Sequence, residues 1–336
     1  MSQLRKLLFP ISIIYFIFQL IKNKLYDLRF LKVTEFEIPT FCIGNLSMGG
    51  SGKTPLVNYI IKNFKNQYKI AFMSRGYNRN TSGYILANDR NSAQEIGDEP
   101  YLIKKNHKKL IVSVSENRVL GIQKIIKSFK GIQMFVLDDA FQHRRLKCSL
   151  NIVLSKFDSP FYNDCIFPVG NLREPKSGIK RANIIIITKC PLELKHEKKI
   201  NIINKINPSI NQKVFFSSIV YDNFLLGINK IHIDKLVGSS VILITGIADS
   251  SSLEKYLLEK EIFFDHIKFN DHHKYDNSDI DNIKLRSNNK LIITTEKDYY
   301  KIIAIEKLSN IYYQGINIKF HKGSEDFNLE IKKYIK

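Results

Sequence analysis

Residues 44–55, which read GNLSMGGSGKTP, decide the fold, because they join a short apolar run to an amphipathic helical pattern through a glycine-rich turn. Such a turn lets successive backbone N–H groups face phosphate oxygens, and the N-terminus of the following helix adds a partial positive charge. Lys53 is predicted to reach the β- and γ-phosphates of a nucleotide, and the Thr54 hydroxyl is predicted to coordinate Mg²⁺. The residues predicted to hold the nucleotide are Ser47, Gly49, Gly50, Ser51, Gly52, Lys53 and Thr54.

One position departs from the strict phosphate-loop pattern, since Ser47 stands where that pattern has glycine. The alternative is a chance Gly-Lys-Thr in a surface turn. The context favours the phosphate loop, because Gly49 and Gly50 keep the turn permissive and a helix with regular apolar spacing follows. The sequence therefore predicts a nucleoside triphosphate site at this turn.

A phosphate loop needs an acidic partner, and residues 133–139, which read QMFVLDD, supply one at the end of an apolar run. In this class of sites, a carboxylate at the end of a strand beside the loop positions the magnesium ion. We predict Asp138 as the residue linked to Mg²⁺. Asp139 is predicted to hold metal or water and is the next candidate for a catalytic base. A helix-capping turn is the alternative for such an Asp pair.

Short runs rich in β-branched residues alternate with helical patterns, which is typical of βαβ units and a mostly parallel, buried sheet. The predicted strands lie at 40–43, 68–73, 109–114, 133–137, 150–154, 183–187, 240–244, 262–267 and 291–294. The predicted fold class is α/β: a P-loop NTPase-like, mostly parallel sheet with helices on both faces, and a second, smaller α/β domain. We predict an N-terminal apolar helix over 1–30, a core over 31–225 and the smaller domain over 226–336, with the connection near 221–235.

The N-terminal region is unusually apolar, with an almost uninterrupted run over residues 11–20 and cations on either side. That run is shorter than the roughly 20 residues that a spanning helix needs, and it contains Ser12 and Gln19. We therefore predict a helix that lies in, or dips into, one leaflet of a membrane. A signal peptide is disfavoured because no small-residue cleavage site follows. A helix packed on the protein's own core is the remaining alternative.

The chain of 336 residues has 52 Lys and Arg against 32 Asp and Glu, a formal net charge of +20. This charge favours an anionic partner such as a phospholipid surface or a phosphorylated substrate, unless it only reflects scattered surface lysines. No aromatic stacking motif accompanies the charge, so no nucleic-acid partner is expected. The 4 cysteines form no CxxC pair and no zinc-like cluster, which predicts reduced thiols in a cytosolic setting.

Beyond the phosphate loop, a series of short strings that spans most of the chain resembles the tetraacyldisaccharide 4'-kinase family. The strings are SRGY at 74–77, GDEP at 97–100, Arg118 with Gly121, DDAFQH at 138–143, LREP at 172–175, DHH at 271–273 and TTEKD at 294–298. The family usually has glycine where Ala140 stands. This departure matters only if the backbone there needs a positive φ angle.

The resemblance implies an enzyme that uses ATP and Mg²⁺ to phosphorylate the 4'-hydroxyl of a tetraacyldisaccharide 1-phosphate in lipid A biosynthesis. It implies two partners, the acylated disaccharide 1-phosphate lipid and an anionic membrane surface. The implied location is the cytoplasmic face of the bacterial inner membrane, with attachment through the N-terminal helix. No obligate protein partner is expected.

The same resemblance assigns roles at the reacting centre. Asp98 is expected to accept the proton of the sugar hydroxyl, with His272 as the partner that orients it and helps to carry the proton. Because these two residues fall in different predicted domains, the domains are expected to close over ATP and sugar. The residues expected to contact phosphate or to orient the site are Arg75, Glu99, Arg118 and Arg173.

The alternative function is a P-loop NTPase that acts as a hydrolase or as a membrane-tethered nucleotide switch. A switch explains the loop and the N-terminal helix but gives Asp98 and His272 no chemical role. Guanine recognition is disfavoured because the string TKCP at 188–191 lacks the aspartate that such a motif requires. A kinase couples ATP turnover to the presence of an acylated disaccharide, whereas a switch does not.

Overall fold

The computed structural model describes Arg5 and residues 7–335, which form two compact units. The first unit holds the residues up to Ile219 and those from Ile318 onwards, and the second holds Val220–Asn317. The strands are β1 Thr40–Asn45, β2 Ile70–Ser74, β3 Ile85–Leu86, β4 Ile111–Val114, β5 Met134–Asp138, β6 Leu150–Lys156, β7 Ile184–Thr188, β8 Lys213–Gly227, β9 Lys230–His232, β10 Ser240–Thr245, β11 Phe263–Lys268, β12 Ile292–Thr295 and β13 Ile311–Phe320. The helices are α1 Phe9–Asp27, α2 Lys53–Phe64, α3 Ala93–Ile96, α4 Asp98–Asn106, α5 Arg118–Ser128, α6 His196–Ile206, α7 Ser251–Glu259, α8 Asn277–Ser287, α9 Glu296–Ile305 and α10 Ser324–Lys332.

The sheet of the first unit has the strand order β3-β4-β2-β5-β1-β6-β7-β8. These neighbours pair in parallel except at the β3 edge. Strands β1 and β5 are buried along their whole length, which explains why they appear as continuous apolar runs in the sequence. Because Ile43 of β1 is in register with Asp138 of β5, the phosphate loop and the acidic pair leave the same edge of the sheet.

Within the second unit the strand order is β11-β10-β12-β13, and these neighbours pair in parallel. One face is covered by apolar side chains of α7 such as Leu257, which pack with Leu243. The other face is covered by α8 and α9, where Ile283 and Ile302 pack with Ile244. Alternate residues of β10 therefore bury against helices on opposite faces, as expected for a small α/β unit.

The mostly parallel α/β fold with a smaller second unit confirms the predicted fold class, and the predicted strands are present. The segment 221–235, where the sequence predicts the connection between the domains, holds the end of β8, which runs to Gly227, and the short strand β9. The polar residues Ser217, Ser218, Asp222 and Asn223 interrupt the apolar run of β8, so the sequence pattern did not predict this strand.

The boundary between the compact units differs from the one predicted at 225/226, since it falls within β8 between Ile219 and Val220. The C-terminal residues from Ile318 onwards belong to the first unit. There the ring of Phe327 packs against Phe215 at 5.3 Å between centroids. A long-range aromatic contact of this kind leaves no mark in the local sequence pattern.

Helix α1 turns its apolar side chains outward. Its buried residues are Ser12 and Tyr26, and Tyr15 is half-buried on the same face. By contrast, Ile14 and Phe18 are 69% and 60% exposed. No helix between Arg5 and residue 335 combines the length and the apolar character needed to cross a bilayer. The helix therefore docks through a polar face, and the alternative that its apolar face packs on the protein's core is not what the structure shows.

Candidate active site

The phosphate loop leaves the end of β1 and enters α2 through Gly52, whose φ angle of 86° lies in the left-handed region that glycine adopts freely. The predicted residues 47–54 lie together in this turn. Lys53 Nζ donates a hydrogen bond to Asn45 Oδ1 at 3.3 Å and lies 3.5 Å from Asp139 Oδ1. The loop lysine is thus held at the acidic end of β5.

Asp138 ends β5, and only 4% of its surface is exposed. Its Oδ2 accepts a hydrogen bond from the Ser74 hydroxyl at 3.4 Å, while its Oδ1 has no hydrogen-bond partner in the described part of the chain. Burial raises the pKa of Asp138 to about 7, although the ammonium of Lys53 opposes this effect. A buried carboxylate oxygen without a partner is suited to binding a cation.

Asp139 has a φ angle of 49°, and its carboxylate contacts Lys53 and Arg173. Arg173 Nη1 donates to both carboxylate oxygens at 2.8 Å. Burial tends to raise the pKa of Asp139, but the two cations outweigh it and hold that pKa below its usual range. The left-handed turn falls on Asp139 and not on Ala140, so alanine at that position meets no backbone strain.

Asp98 and Glu99 begin helix α4 directly after Gly97, whose φ angle is 92°. A Cβ atom on Gly97 would lie 3.0 Å from the backbone of Gly76, so the turns before α4 and after β2 touch without room for a side chain. The charge of Glu99 is close enough to raise the pKa of Asp138. The structure therefore brings the start of α4 to the acidic end of β5.

Arg118 is buried, and its guanidinium faces the main chain. It donates at 3.0 to 3.5 Å to the carbonyl oxygens of Ser115, Glu116, Asp138 and Asp139. Burial lowers its pKa. Arg75 is exposed, and its positive charge is close enough to lower the pKa of Arg118 further. In this structure Arg118 holds the main chain of the acidic pair Asp138 and Asp139. A phosphate contact by Arg118 stays a prediction, and it requires the guanidinium to turn away from those carbonyls.

A hydrogen bond connects residues 138–143 with residues 172–175, and it is made by two side chains to which the sequence assigned no role. Gln142 Nε2 donates to the Asn45 carbonyl and to Glu174 Oε1, both at 2.9 Å. Glu174 is 2% exposed and forms an ion pair with Arg181. The Arg181 guanidinium in turn lies 4.3 Å from the centre of the Phe141 ring. Both strings were visible in the sequence, but the burial of Glu174 appears only in the folded chain.

His272 lies in the second unit, in the turn between β11 and α8, with a φ angle of 60°. Its backbone N–H donates to the Gly246 carbonyl at 3.2 Å, and the Gly246 N–H donates to Asp298 Oδ2 at 2.8 Å. Lys297 Nζ lies 3.1 Å from His272 Nδ1. An ammonium only donates, so Nδ1 accepts and the ring proton of the neutral imidazole belongs on Nε2. The pairing of His272 with Asp98 of the first unit stays a prediction.

The residues present fit a magnesium ion that is shared with a nucleotide. Asp138 offers a buried, unpartnered oxygen, and Thr54 stands at the start of α2. Within Arg5 and residues 7–335, no group of three or more His, Cys, Asp and Glu side chains could hold a metal ion by itself. Mg²⁺ normally combines one or two protein ligands with water and phosphate oxygens. Asp138 and Thr54 are therefore a sufficient protein contribution.

A parallel sheet, a glycine-rich loop that runs into a helix and a buried carboxylate on the neighbouring strand define the P-loop class of nucleotide-binding proteins. Within that class, the model of the family described as tetraacyldisaccharide-1-P 4'-kinase (LpxK) matches residues 4–336. The chain belongs to this family.

Relatives match along their whole length. The chain is 38% identical to the tetraacyldisaccharide 4'-kinase of Flavobacterium johnsoniae over 337 residues, which cover 100% of this chain and 98% of the relative. It is 36% identical to the tetraacyldisaccharide 4'-kinase of Bacteroides thetaiotaomicron over 357 residues, which cover 99% and 94%.

A solved structure also matches. The crystal structure of LpxK from Aquifex aeolicus in complex with ATP has a TM-score of 0.80 and 28% identity, and the match covers 99% of this chain and 100% of that chain. The predictions of a kinase of this family and of ATP as its cofactor are therefore confirmed. The requirement for Mg²⁺ and the roles of single residues stay predictions.

Proposed function

We propose that this chain transfers the γ-phosphate of ATP to the 4'-hydroxyl of a tetraacyldisaccharide 1-phosphate in lipid A biosynthesis. The observation that carries the proposal is the family match over residues 4–336, combined with a site that unites Lys53, Asp138, Asp139 and Arg173. Phosphoryl transfer asks a protein mainly to position its reactants and to neutralise charge, and these residues supply both.

On the nucleotide side, the backbone N–H groups of residues 49–54 and the ammonium of Lys53 bind the phosphates. Thr54 and Asp138 would hold Mg²⁺, and the ion would supply positive charge that neutralises the phosphates during transfer. Asp139 keeps the cations of Lys53 and Arg173 together, so that both are ready to meet the γ-phosphate.

On the acceptor side, Asp98 takes the proton of the 4'-hydroxyl as its oxygen forms a bond to the γ-phosphorus. The bond from that phosphorus to the β,γ-bridging oxygen breaks, and its electron pair leaves with ADP. An aspartate with its reference pKa of about 3.9 is a weak base and benefits from a partner. We propose His272 as that partner: because Lys297 contacts Nδ1, the Nε2–H is the donor that would hold the Asp98 carboxylate in the orientation needed for proton transfer.

At the membrane, we propose that α1 attaches the enzyme to the cytoplasmic face of the inner membrane. Its outward apolar side chains, such as Ile14 and Phe18, suit the boundary between headgroups and acyl chains. The net charge of +20 suits both an anionic membrane surface and the 1-phosphate of the lipid.

The test is a transfer assay with radiolabelled ATP and a tetraacylated disaccharide 1-phosphate in detergent micelles. We expect labelled lipid and ADP to form in equal amounts, and both only when the lipid is present. Release of inorganic phosphate at the same rate without lipid would instead support a hydrolase. Bound ATP without any turnover would support a nucleotide switch.

A further inference from the structure

The inward face of α1 contacts the segment that carries Arg173. Ser12 Oγ donates to the Ile166 carbonyl at 3.3 Å and accepts from the Val169 N–H at 3.1 Å. One turn further along the helix, the Tyr15 hydroxyl donates to the main-chain carbonyl of Arg173 at 2.8 Å. The helix is thus hydrogen-bonded to two parts of one loop, although about 150 residues separate the helix from that loop in the chain.

The opposite side of that segment is bonded to the phosphate loop. The Arg173 N–H donates to the Leu46 carbonyl at 2.8 Å, and the Met48 N–H donates to the Asn171 carbonyl at 2.8 Å. Residues 171–173 therefore lie between the N-terminal helix and the loop that binds phosphate. The Arg173 side chain leaves this strip and holds both oxygens of Asp139.

We propose that Tyr15 is a positioning residue of the kinase: its hydroxyl fixes the main chain of Arg173, so that the helix facing the lipid also aligns the guanidinium with Asp139. The proposal rests on the proposed function and adds a role to α1 beyond membrane attachment. Arg173 has a long, flexible side chain, and small displacements of catalytic groups lower the rate of transfer. Tyr15 touches no reacting atom and acts through Arg173.

The first test compares Tyr15→Phe with the wild type in the micelle assay. Loss of one hydrogen bond should lower kcat by about 3- to 10-fold, with little change in the KM for ATP. Sedimentation with vesicles of phosphatidylglycerol and phosphatidylethanolamine should stay at the wild-type level, because Tyr15 is on the inward face. Tyr312→Phe is the matched control, since it removes a tyrosine hydroxyl bonded to Asn229 at 2.9 Å in the second unit and should leave kcat unchanged.

The second test asks whether Tyr15 acts through Arg173. In an Arg173→Ala background, Tyr15→Phe should lower kcat no further, because the side chain that it positions is absent. If the two losses multiply fully, Tyr15 affects the fold in general and the proposal is overturned.

The third test measures amide hydrogen exchange at residues 171–173, which needs no catalysis. We expect faster exchange there in Tyr15→Phe than in the wild type or in Tyr312→Phe. Unchanged exchange would overturn the proposal. If the wild type transfers no phosphate to the lipid, the proposed function fails, while the exchange measurement still decides whether Tyr15 holds this segment.

Discussion

At the scale of single residues, Lys53 is predicted to be essential for phosphate transfer. Its ammonium lies 3.5 Å from Asp139 and 3.3 Å from Asn45, at the mouth of the phosphate loop. Lys53→Ala removes the fixed cation for the β- and γ-phosphates, and we expect the transfer rate to fall by about 10²-fold or more. Initial rates with saturating lipid measure this loss. Lys62→Ala, an exposed lysine of the same helix, is the control, and wild-type turnover in Lys53→Ala would remove the loop from the mechanism.

Asp98 and His272 are tested as a pair. Asp98→Asn keeps the size of the side chain but removes the charge that accepts the proton, so kcat should fall by roughly 10²–10⁴-fold. His272→Ala should show a similar loss with little change in ATP affinity. If the two act as one unit, as we propose, the double variant should be far less impaired than the product of the single losses.

Two results would redirect the assignment of the base. Losses that multiply fully would give His272 a role in substrate contact instead of proton transfer. A fall in ATP affinity at an unchanged transfer rate in Asp98→Asn would move Asp98 to the metal site, and Asp139 would then become the candidate base. Equilibrium ATP binding and single-turnover transfer separate these outcomes.

At the scale of elements, α1 has two faces that can be tested separately. Its outward face exposes Ile14 and Phe18, and burial of each such side chain in the membrane boundary contributes about 1.5–3 kcal/mol. The pair of changes Ile14→Ser and Phe18→Ser should therefore weaken sedimentation with anionic vesicles by at least about 10-fold. The control is Leu285→Ser, which removes an apolar side chain 80% exposed on the second unit. Equal binding by all variants would show that α1 does not carry the attachment.

For the whole molecule, His107 links stability to pH. Its Nε2 lies 3.1 Å from Asn58 Oδ1 and its Nδ1 lies 3.3 Å from Lys65 Nζ, an arrangement that needs the neutral ring. Burial, aided by the charges of Lys65 and Lys62, lowers the pKa of His107 to about 4. The unfolded chain therefore binds the extra proton first, so this part of the stability is present above about pH 6.5 and is lost as pH falls towards 4.

The check for His107 is thermal unfolding at about pH 7.5 and about pH 5 for the wild type and His107→Gln. Because the ring is partly solvated, we expect the wild type to lose only about 1 kcal/mol more than the variant between these conditions. An equal loss in both proteins would show that His107 is not protonated on unfolding.

Much of the fold and part of the site could be predicted from the sequence. The phosphate loop, the acidic end of β5 and the strings that mark the family are short, and their meaning depends on residues close in the chain. Strands that are buried on both faces, such as β1 and β5, are predicted by continuous apolar runs in the sequence. Strand β8 was missed because its polar residues interrupt that signal, and local patterns carry no information about which unit the C-terminal residues join.

What the sequence by itself determined is the P-loop, its acidic partner, the alternation of strands and helices and membership of the kinase family, because each is encoded in local spacing and turn chemistry. Only the tertiary structure decided that Arg118 faces main-chain carbonyls, that the apolar side of α1 points outward and that Tyr15 reaches the carbonyl of Arg173. Tyr15 and Arg173 are 158 positions apart. The direction of a side chain depends on which distant segments of the chain lie beside it in the fold. The parallel sheet brings these segments together, and its strand order and register are set by long-range pairing and not by local propensity.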